Sequence, residues 1–180
     1  MWKMTGEAMA PALDSNACKA ARLLDPKAEP PVHGDVVVFK HPVKLDTPMV
    51  FRVIALGGDT VQMVQGKILL NGQALPQSPI APLHRNVLAN PHHRCGRTAD
   101  RDGSCLVDRY VETLPNGRAY EILDLGWESL DNTASLEVPM NHLFVLGDHR
   151  DNSADSRLPH SSGGLGFVPI GNVTAIFDDL

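Results

Sequence analysis

The segment HLFVLGDHRDNSADSR, residues 142–157, changes from apolar to charged near its middle. Its first part, His142 to Asp148, predicts a buried strand that ends at Gly147. The part that follows is polar and charged, and we expect His149 to be a hydrogen-bonding structural group within it. A buried strand followed directly by a charged loop is therefore predicted near the end of the chain.

Further strand signals lie on both sides of a less regular middle part. The β-branched run DVVVFKHP (Asp35 to Pro42) and the run MVFRVIAL (Met49 to Leu56) each end at a turn signal. Asn71-Gly72 predicts a tight hairpin after TVQMV and KILL. YVETLPNGRAYEILDL (Tyr110 to Leu125) predicts another hairpin, and GFVPIGNVTAIF (Gly166 to Phe177) predicts a final strand pair. These patterns indicate a mainly β fold of antiparallel strands.

Two stretches depart from the strand pattern. SNACKAARLL, from Ser15 to Leu24, has an N-cap residue followed by helix formers and predicts a short helix. From about Pro76 to Arg109 the sequence is rich in Pro, His, Arg and small polar residues. This change of composition predicts an insertion or a loop-rich subdomain.

Composition narrows the classes of function. A chain of 180 residues suits one domain, alone or with a smaller inserted one. Its net charge of −5 comes without a basic block, which excludes a nucleic-acid partner. No apolar stretch reaches the length needed to cross a bilayer, so the chain as written is expected to be soluble. We expect any membrane association to depend on a segment that is absent from this chain.

The chain has three cysteines, Cys18, Cys95 and Cys105. Cys95 and Cys105 bracket the polar segment CGRTADRDGSC, whose length allows a disulfide and thus points to an oxidising compartment. Two reduced thiols are the second possibility. A metal site formed by His92, His93 and Cys95 with Cys105 is the least favoured one, because the spacing matches no standard zinc pattern. We expect Cys18 to be unpaired.

Four segments, taken in order, resemble motifs of the type I signal peptidases, the membrane-bound serine endopeptidases that remove leader sequences from exported proteins. GEAMAPAL is similar to the family's nucleophile box. HGDVVVFKHP and VFRVIALGGDTVQM are similar to two of its strand motifs. LGDHRDNSADSR is similar to its charged motif, which we call the charged box. The cysteine pair, ETLPNGRAY and GGLGFVP also resemble Gram-negative members, the last of these α-proteobacterial ones. The resemblance covers nearly the whole chain except the family's N-terminal transmembrane anchor.

The resemblance implies a reaction carried out by a Ser–Lys dyad. In such a dyad a buried, uncharged lysine takes the proton of a serine hydroxyl, which then attacks the peptide carbonyl. The nucleophile position falls on Ala8 and the general-base position on Phe51. Ser153 falls on the position that orients the lysine. Because Ala8 and Phe51 cannot perform the two chemical roles, we predict a catalytically inactive member, a pseudoenzyme.

The resemblance also implies two larger sets of residues and no cofactor or metal. Residues at positions that contact the peptide substrate are Met9, Leu13, Met49, Val50 and Ala154. Residues of a structural network beneath the site are Arg52, Asp148, Arg150, Asp155 and Arg157. A disulfide between Cys95 and Cys105 is implied as well.

For the whole molecule, the resemblance implies a signal-peptidase-type fold of antiparallel sheets with an inserted, smaller, loop-rich β subdomain. Residues 1–75 and 138–180 would form the catalytic-type β domain, and residues 76–137 the inserted part with the cysteine pair. The implied location is the periplasmic face of the bacterial inner membrane. The implied partners are signal peptides or other extended peptides of exported proteins.

Three functions are compatible with these observations. The first is a signal-peptidase-like protein that binds peptides without cleaving them. The second is an active signal peptidase that was inactivated by an engineered substitution at Ala8. The third is a binding or assembly module that kept the β scaffold and lost the groove.

Overall fold

The structure, a computed structural model, describes residues 1–90, 93–96 and 100–180. Within these ranges it contains strands and short turns of 3-10 helix, and no α-helix. The strands are β1 (Trp2–Lys3), β2 (Cys18–Lys19), β3 (Arg22–Leu23), β4 (Val36–Lys40), β5 (Pro48–Leu56), β6 (Thr60–Val64), β7 (Lys67–Leu70), β8 (Gln73–Ala74), β9 (Gln77–Asn86), β10 (Ser104–Thr113), β11 (Ala119–Asp124), β12 (Leu136–Glu137), β13 (His142–Leu146), β14 (Val168–Pro169) and β15 (Val173–Phe177). The 3-10 turns are Ser129–Asp131, Arg150–Asn152, His160–Ser162 and Ile170–Asn172. The predicted mainly β fold is confirmed.

The largest sheet has six strands in the order β14, β13, β5, β4, β15, β3, and all of its pairs are antiparallel. Its centre includes β4, in which the side chains from Val36 to Phe39 are completely buried. β-Branched and aromatic residues favour extended backbone and pack well on a pleated surface. A strand that is apolar on both faces is stable only when both faces are covered, which places β4 inside the sheet.

The neighbours of β5 cover this nine-residue strand unevenly. β4 pairs with it from Pro48 to Arg52, whereas β13 pairs only with the part from Arg52 to Leu56. On the β13 side, the stretch from Pro48 to Phe51 therefore has no strand partner among the described residues. The first half of β5 keeps one open edge.

The four-stranded sheet, in the order β12, β6, β7, β8, is built around two tight hairpins. The predicted turn at Asn71-Gly72 joins β7 to β8 with φ angles of 52° and 79°. Gln65 and Gly66 join β6 to β7 with φ angles of 50° and 76°. Positive φ at both central residues matches the twist of the flanking strands, which is why Asn and Gly are favoured there. The strand and hairpin predictions for this region are confirmed.

A three-stranded sheet, in the order β11, β10, β9, follows along the chain. The sequence predicts an insertion or a loop-rich subdomain from about Pro76 to Arg109, and the structure has β9 and the first half of β10 in this stretch. β9 is an edge strand, and an edge tolerates prolines because they lack an N–H group. The proline-rich composition thus reflects an edge strand instead of a loop. The hairpin predicted around PNG is confirmed by the pairing of Thr113 with Ala119.

The helix predicted from Ser15 to Leu24 does not form, and this prediction is wrong. The stretch contains β2, which pairs with β1, and β3, which pairs with β15. Asn16 has a φ of 65°, in the left-handed region that a right-handed helix excludes. Pairing with distant strands outweighs the modest helix propensity of this sequence.

The last two strands lie in the same sheet but are not paired with each other, contrary to the predicted strand pair. β14 pairs with β13, and β15 lies between β4 and β3. In this position Ile176 is opposite Val37, so the apolar residues of β15 cover the buried centre of the sheet. Burial against β4 therefore decides where the last strand goes.

Two large apolar clusters and a third, smaller one form the core of the described residues. One joins the N-terminal segment to the six-stranded sheet and contains Met9, Leu13, Phe39, Phe51 and Val145 among others. The other packs Ile54, Phe144 and Leu146 against residues that include Leu75, Leu114, Tyr120 and Ile122. The six-stranded and three-stranded sheets thus share one core. In the described part of the chain, no helix is long and apolar enough to cross a membrane.

Candidate functional site

A groove lies between the N-terminal segment and the open edge of β5. Its volume is about 250 Å³. Its lining residues are Trp2, Lys3, Met4, Thr5, Gly6, Ala8, Met9, Pro48, Met49, Val50 and Phe51. Residues far apart in the sequence, Ala8 and Phe51, therefore face the same space.

Three of the five predicted peptide-contact residues line this groove, namely Met9, Met49 and Val50. Leu13 does not, because its side chain is only 2% exposed and packs into the apolar core. Ala154 is exposed and lies outside the groove lining. The position of the groove thus groups the first three residues and separates the other two.

Gly147 lies where the charged box packs closely against the backbone of Ala8. A Cβ atom on Gly147 would lie 2.5 Å from the Ala8 carbonyl oxygen and 2.5 Å from Ser153 Oγ. A larger residue would displace one of them, so the close approach requires glycine. The His149 N–H donates a hydrogen bond of 3.0 Å to the same Ala8 carbonyl. The charged box thereby holds the backbone of residue 8.

Ser153 belongs to the charged box and has a buried hydroxyl group. Ser153 Oγ has no hydrogen-bond partner within residues 1–90, 93–96 and 100–180. The family resemblance implies that this position orients a lysine amine, and no such amine reaches it here. A buried hydroxyl without a partner costs on the order of 1–3 kcal/mol. The Ser153 hydroxyl is thus a buried polar group without a hydrogen-bond partner among the described residues.

Phe51 occupies the position implied for the general base. Its side chain is 3% exposed, and its ring centroid lies 6.1 Å from that of Phe39. Phe51 therefore packs as a core residue while it also lines the groove. A phenyl ring has no atom that can take up a proton from a nucleophile.

Arg52 and Asp148 form a buried ion pair directly beside these positions. Arg52 Nε and Nη2 donate to the two Asp148 carboxylate oxygens at 2.8 and 2.7 Å. Arg52 Nη1 donates to the Gly34 carbonyl at 2.9 Å, and the guanidinium lies 4.3 Å from the centroid of the Tyr120 ring. Burial raises the pKa of Asp148, although Arg52 acts in the opposite direction. The pair fastens β5 to the segment just after β13.

Arg150 is held by two residues of the β10–β11 hairpin. Its Nη1 donates to Glu112 at 3.3 Å, and its Nη2 also contacts this carboxylate. Tyr120 donates its hydroxyl to Glu112, opposite which it lies in the hairpin register. The sequence interpretation missed Glu112 and Tyr120 as members of the network. The alternation of side chains along a strand could have indicated that Glu112 is buried. Glu112 lies two residues before the buried Leu114, so both side chains point to the same face.

Asp155 and Arg157 form a second buried pair within the charged box. Arg157 Nε donates to Asp155 at 2.8 Å, and both side chains are completely buried. Asp155 also accepts a hydrogen bond of 3.3 Å from the Gly147 N–H. Arg157 Nη2 donates to the Arg150 carbonyl. The box is therefore closed on itself and rigid at the side where it meets residue 8.

His149 is buried in the same box, with an exposed fraction of 2%. Burial lowers the pKa of His149 to about 4, and Arg85 adds to this effect. The ring is therefore neutral at physiological pH, and Nδ1 lacks a hydrogen-bond partner in the described ranges. The expected hydrogen bonding comes from the backbone N–H to Ala8 and not from this ring nitrogen.

Cys95 and Cys105 form a disulfide, which confirms the favoured interpretation of the cysteines. Cys18 is free and exposed, as expected. The alternative metal site is wrong at Cys95, because its sulfur is bonded to Cys105; His92, another of its expected ligands, lies outside the described residues. Among the described His, Cys, Asp and Glu side chains, no group of three or more could hold a metal ion.

Comparison with known proteins gives matches over most of the chain. The family model "Signal peptidase, peptidase S26" matches residues 2–178. The signal peptidase I of Rickettsia prowazekii (strain Madrid E) is 32% identical over 155 residues, which is 82% of this chain and 51% of that protein. The signal peptidase I of Rickettsia typhi (strain ATCC VR-144 / Wilmington) is 34% identical over 152 residues, or 81% of this chain and 50% of that protein. These relatives agree with the α-proteobacterial resemblance.

A crystal structure of a signal peptidase I from Enterococcus faecalis V583 aligns with 82% of this chain and 96% of that one, with 23% identity and a TM-score of 0.44. The chain spans about half the length of the curated relatives that it matches. The family model covers nearly all of this chain, from its second residue to residue 178. The chain belongs to the signal peptidase family, peptidase S26.

Proposed function

We propose that this chain binds signal peptides or other extended peptides of exported proteins in its groove and does not hydrolyse them. The observation that carries the proposal is that Ala8 and Phe51 line the same groove. A methyl group and a phenyl ring occupy the positions at which the family reaction needs a hydroxyl and an amine. The shape needed for binding is kept, and the reacting groups are not.

Other side chains near the groove do not restore the reaction. Lys3 lines the groove but is exposed, whereas the family reaction needs an amine that is buried among apolar groups. His149 is neutral at physiological pH, but Ala8 offers no hydroxyl for it to activate. These residues support the proposal that the chain lacks peptidase activity.

The open edge from Pro48 to Phe51 supports binding of an extended peptide. Such a peptide can add to the sheet as a strand, with main-chain hydrogen bonds that provide affinity. Every second side chain of the peptide would then point toward the groove. Met9, Met49 and Val50 provide an apolar lining for those side chains. Small apolar residues, as in an Ala-x-Ala sequence, suit this lining.

We further propose a position at the periplasmic face of the bacterial inner membrane, with membrane attachment through a segment absent from this chain. The Cys95–Cys105 disulfide supports this location, because disulfides persist in oxidising compartments. We also propose that residues 1–75 and 138–180 form the groove-bearing unit and that residues 76–137 are an inserted subdomain. In support, every residue that lines the groove belongs to the first unit.

The two alternative functions receive less support. In an engineered enzyme, the replaced base would normally be a small residue, whereas Phe51 is a large ring packed against Phe39. A scaffold that had lost its groove is difficult to reconcile with the volume of about 250 Å³. Peptide titration separates binding from a purely structural role.

The first test measures peptide cleavage and binding by the purified protein. We expect no hydrolysis of a leader peptide, and binding that perturbs the NMR signals of Met9 and Met49. Glu137→Gln, an exposed substitution in β12, is the matched control and should bind equally well. Cleavage that persists after contaminating peptidase is excluded would overturn the proposal, as would the absence of any peptide-dependent signal.

A second test restores the two missing groups. Ala8→Ser alone should stay inactive, because the new hydroxyl has no base. Ala8→Ser combined with Phe51→Lys should give measurable hydrolysis if the groove retains the family geometry. No hydrolysis by the folded double variant would argue that the groove no longer holds a peptide in the productive position.

A further inference from the structure

Glu7 is a buried carboxylate directly before the groove residues Ala8 and Met9. Its exposed fraction is only 3%. Glu7 Oε1 accepts a hydrogen bond of 3.1 Å from the Ser15 N–H. Glu7 Oε2 lies 3.4 Å from Arg85 Nη2 and accepts no hydrogen bond from the described residues. The Arg85 charge is therefore the compensation for this oxygen.

Arg85 comes from the end of β9, far from residue 7 in the sequence. It also contacts Asp14 Oδ1 at 3.0 Å and His93 Nε2 at 3.1 Å. Arg85 lies opposite Cys105 in the pairing of β9 with β10. The partner of Cys105 is Cys95, two residues after His93. The disulfide thus closes the hairpin end that carries both side chains next to Glu7.

A second contact joins the same parts of the chain. Asn90 Nδ2 donates to Ser15 Oγ at 2.9 Å and lies 3.5 Å from Glu7 Oε1. Asn90 is in the segment between β9 and the cysteine pair. The groove wall, formed by Ala8 and Met9, is therefore fastened from two sides to the end of the β9–β10 hairpin.

A buried carboxylate is costly unless charges and donors surround it. Burial raises the pKa of Glu7, but hydrogen bonds from Ser15 and the charges of Arg85 and His93 outweigh this effect, so that the pKa lies below its usual value. Glu7 is accordingly ionised at neutral pH. Loss of the Arg85 charge would leave Glu7 Oε2 without its compensating charge beside Ala8, and the segment would have to move for this oxygen to reach water.

We propose that Glu7 is a positioning residue, which couples the groove wall at Ala8 and Met9 to the disulfide-closed end of the β9–β10 hairpin through Arg85. Its effect on peptide affinity rests on the proposed function, whereas its effect on the position of the wall does not. A movement of the hairpin end is transmitted to the groove through the buried Glu7–Arg85 pair, with the Asn90 contact to Ser15 as a second link.

Trp2 provides a readout of the groove wall that needs no peptide. Trp2 lines the groove, whereas the other tryptophan of the chain, Trp127, is 81% exposed. In a Trp127→Phe background, Trp2 fluorescence and its quenching by acrylamide report on the wall. We expect Glu7→Gln to increase the quenching of Trp2 and to weaken binding of a synthetic Ala-x-Ala peptide about 5- to 10-fold.

Variants at the other end of the contact distinguish coupling from a general loss of stability. Arg85→Gln should change Trp2 as Glu7→Gln does, whereas Arg85→Lys, which keeps the charge, should restore the signal in large part. Combined Cys95→Ser and Cys105→Ser substitutions should shift Trp2 in the same direction. Glu137→Gln is the matched control and should leave both readouts unchanged.

The outcomes separate the two proposals. If the parent protein binds no peptide but Glu7→Gln and Arg85→Gln still alter Trp2, the proposed function fails and the coupling stands. If Trp2 and peptide affinity are unchanged in folded Glu7→Gln, the coupling is wrong. Should Glu7→Gln not fold, the contrast between Arg85→Gln and Arg85→Lys decides, and equal signals from these two variants would also refute the coupling.

Discussion

Two serines of the charged box, Ser153 and Ser156, differ in what their hydroxyl groups contact. Ser156 Oγ accepts a hydrogen bond of 3.0 Å from the Val145 N–H. Ser153 Oγ is buried and finds no partner within the described part of the chain. The family resemblance implies that a serine at position 153 orients a lysine amine, and Phe51 has no such amine. The Ser156 hydroxyl therefore stabilises the box, whereas the Ser153 hydroxyl makes no hydrogen bond with any described residue.

This difference predicts opposite effects of the same substitution. Ser153→Ala should stabilise the protein by about 1 kcal/mol, because it removes an unsatisfied buried hydroxyl. Ser156→Ala should destabilise it by about 1–2 kcal/mol, because the Val145 N–H loses its acceptor. Urea unfolding monitored by circular dichroism measures both values. Equal destabilisation by the two substitutions would show that Ser153 Oγ has a partner after all.

At the scale of elements, two 3-10 turns and the end of β11 bring three acidic side chains close together. Asp151 in the 3-10 turn Arg150–Asn152 accepts a hydrogen bond of 2.6 Å from the Leu125 N–H, just after β11. Asp124 at the end of β11 and Asp131 in another 3-10 turn both lie near Gly66. Burial, with added repulsion from Asp124 and Asp131, raises the pKa of Asp151 to about 6. The packing of these turns thus favours a protonated Asp151.

The raised pKa gives a stability change whose sign is fixed by linkage. Because the pKa of Asp151 rises from 3.8 to about 6 on folding, its contribution is fully present below pH 3.8 and is lost as the pH rises through about 6. Asp151→Asn, which keeps an acceptor for Leu125, should therefore be more stable than the parent at pH 7.5. We expect a gain of about 1 kcal/mol for this partly exposed group, after allowance for solvent screening.

Urea unfolding at several pH values between 4 and 7.5 tests this effect. The gain from Asp151→Asn should shrink toward pH 4, where the parent carboxyl is protonated as well. Asp46→Asn, in the exposed turn between β4 and β5, is the matched control and should show no such trend. A gain that does not depend on pH would contradict the assigned cause.

At the scale of the whole molecule, the Arg52–Asp148 pair joins β5 to the segment just after β13, and the two residues are 96 positions apart in the sequence. Both side chains are almost completely buried, at 3% and 1% exposure. Arg22, in contrast, pairs with Glu29 and Asp178 at the surface, with 45% of its side chain exposed. Buried pairs are costly to break because one charge stays behind without a partner.

Replacement of the two arginines should therefore have very different consequences. Arg52→Met should destabilise the protein by about 3–5 kcal/mol, because the buried Asp148 carboxyl group is left without its partner. Arg22→Met should cost far less, because water can replace the contacts of an exposed ion pair. Arg52→Met combined with Asp148→Leu should recover most of the loss, which chemical unfolding would measure. A double variant as unstable as Arg52→Met would indicate that packing, and not the unpaired charge, dominates.

Much of the fold and part of the site could be predicted from local patterns. The run from Val36 to Phe39 and the Asn71-Gly72 turn specify strand and hairpin through backbone preferences that neighbouring residues alone determine. The helix predicted from Ser15 to Leu24 failed because β2 and β3 find partners far along the chain. Partners at such distances leave no trace in a window of ten residues.

The division of the chain after residues 75 and 137 stays a prediction. Leu114 and Ile122 of the middle part share an apolar cluster with Ile54 and Phe144 of the outer parts. Sequence composition changes from about Pro76 to Arg109, but the apolar core does not follow this change. An inserted segment that shares a core is stabilised by the unit that surrounds it.

The amino-acid sequence by itself determined that the chain is mainly β and that it resembles signal peptidases, and it predicted that Ala8 and Phe51 stand where the family reaction needs a serine and a lysine. Such statements depend on residue types and local periodicity, which are visible without contacts. Only the tertiary structure decided that Ala8 and Phe51 share a groove, that Glu7 is paired with Arg85, and that Ser153 has no described partner. The reason is physical, because burial and charge compensation depend on groups that only folding brings within a few ångströms of one another.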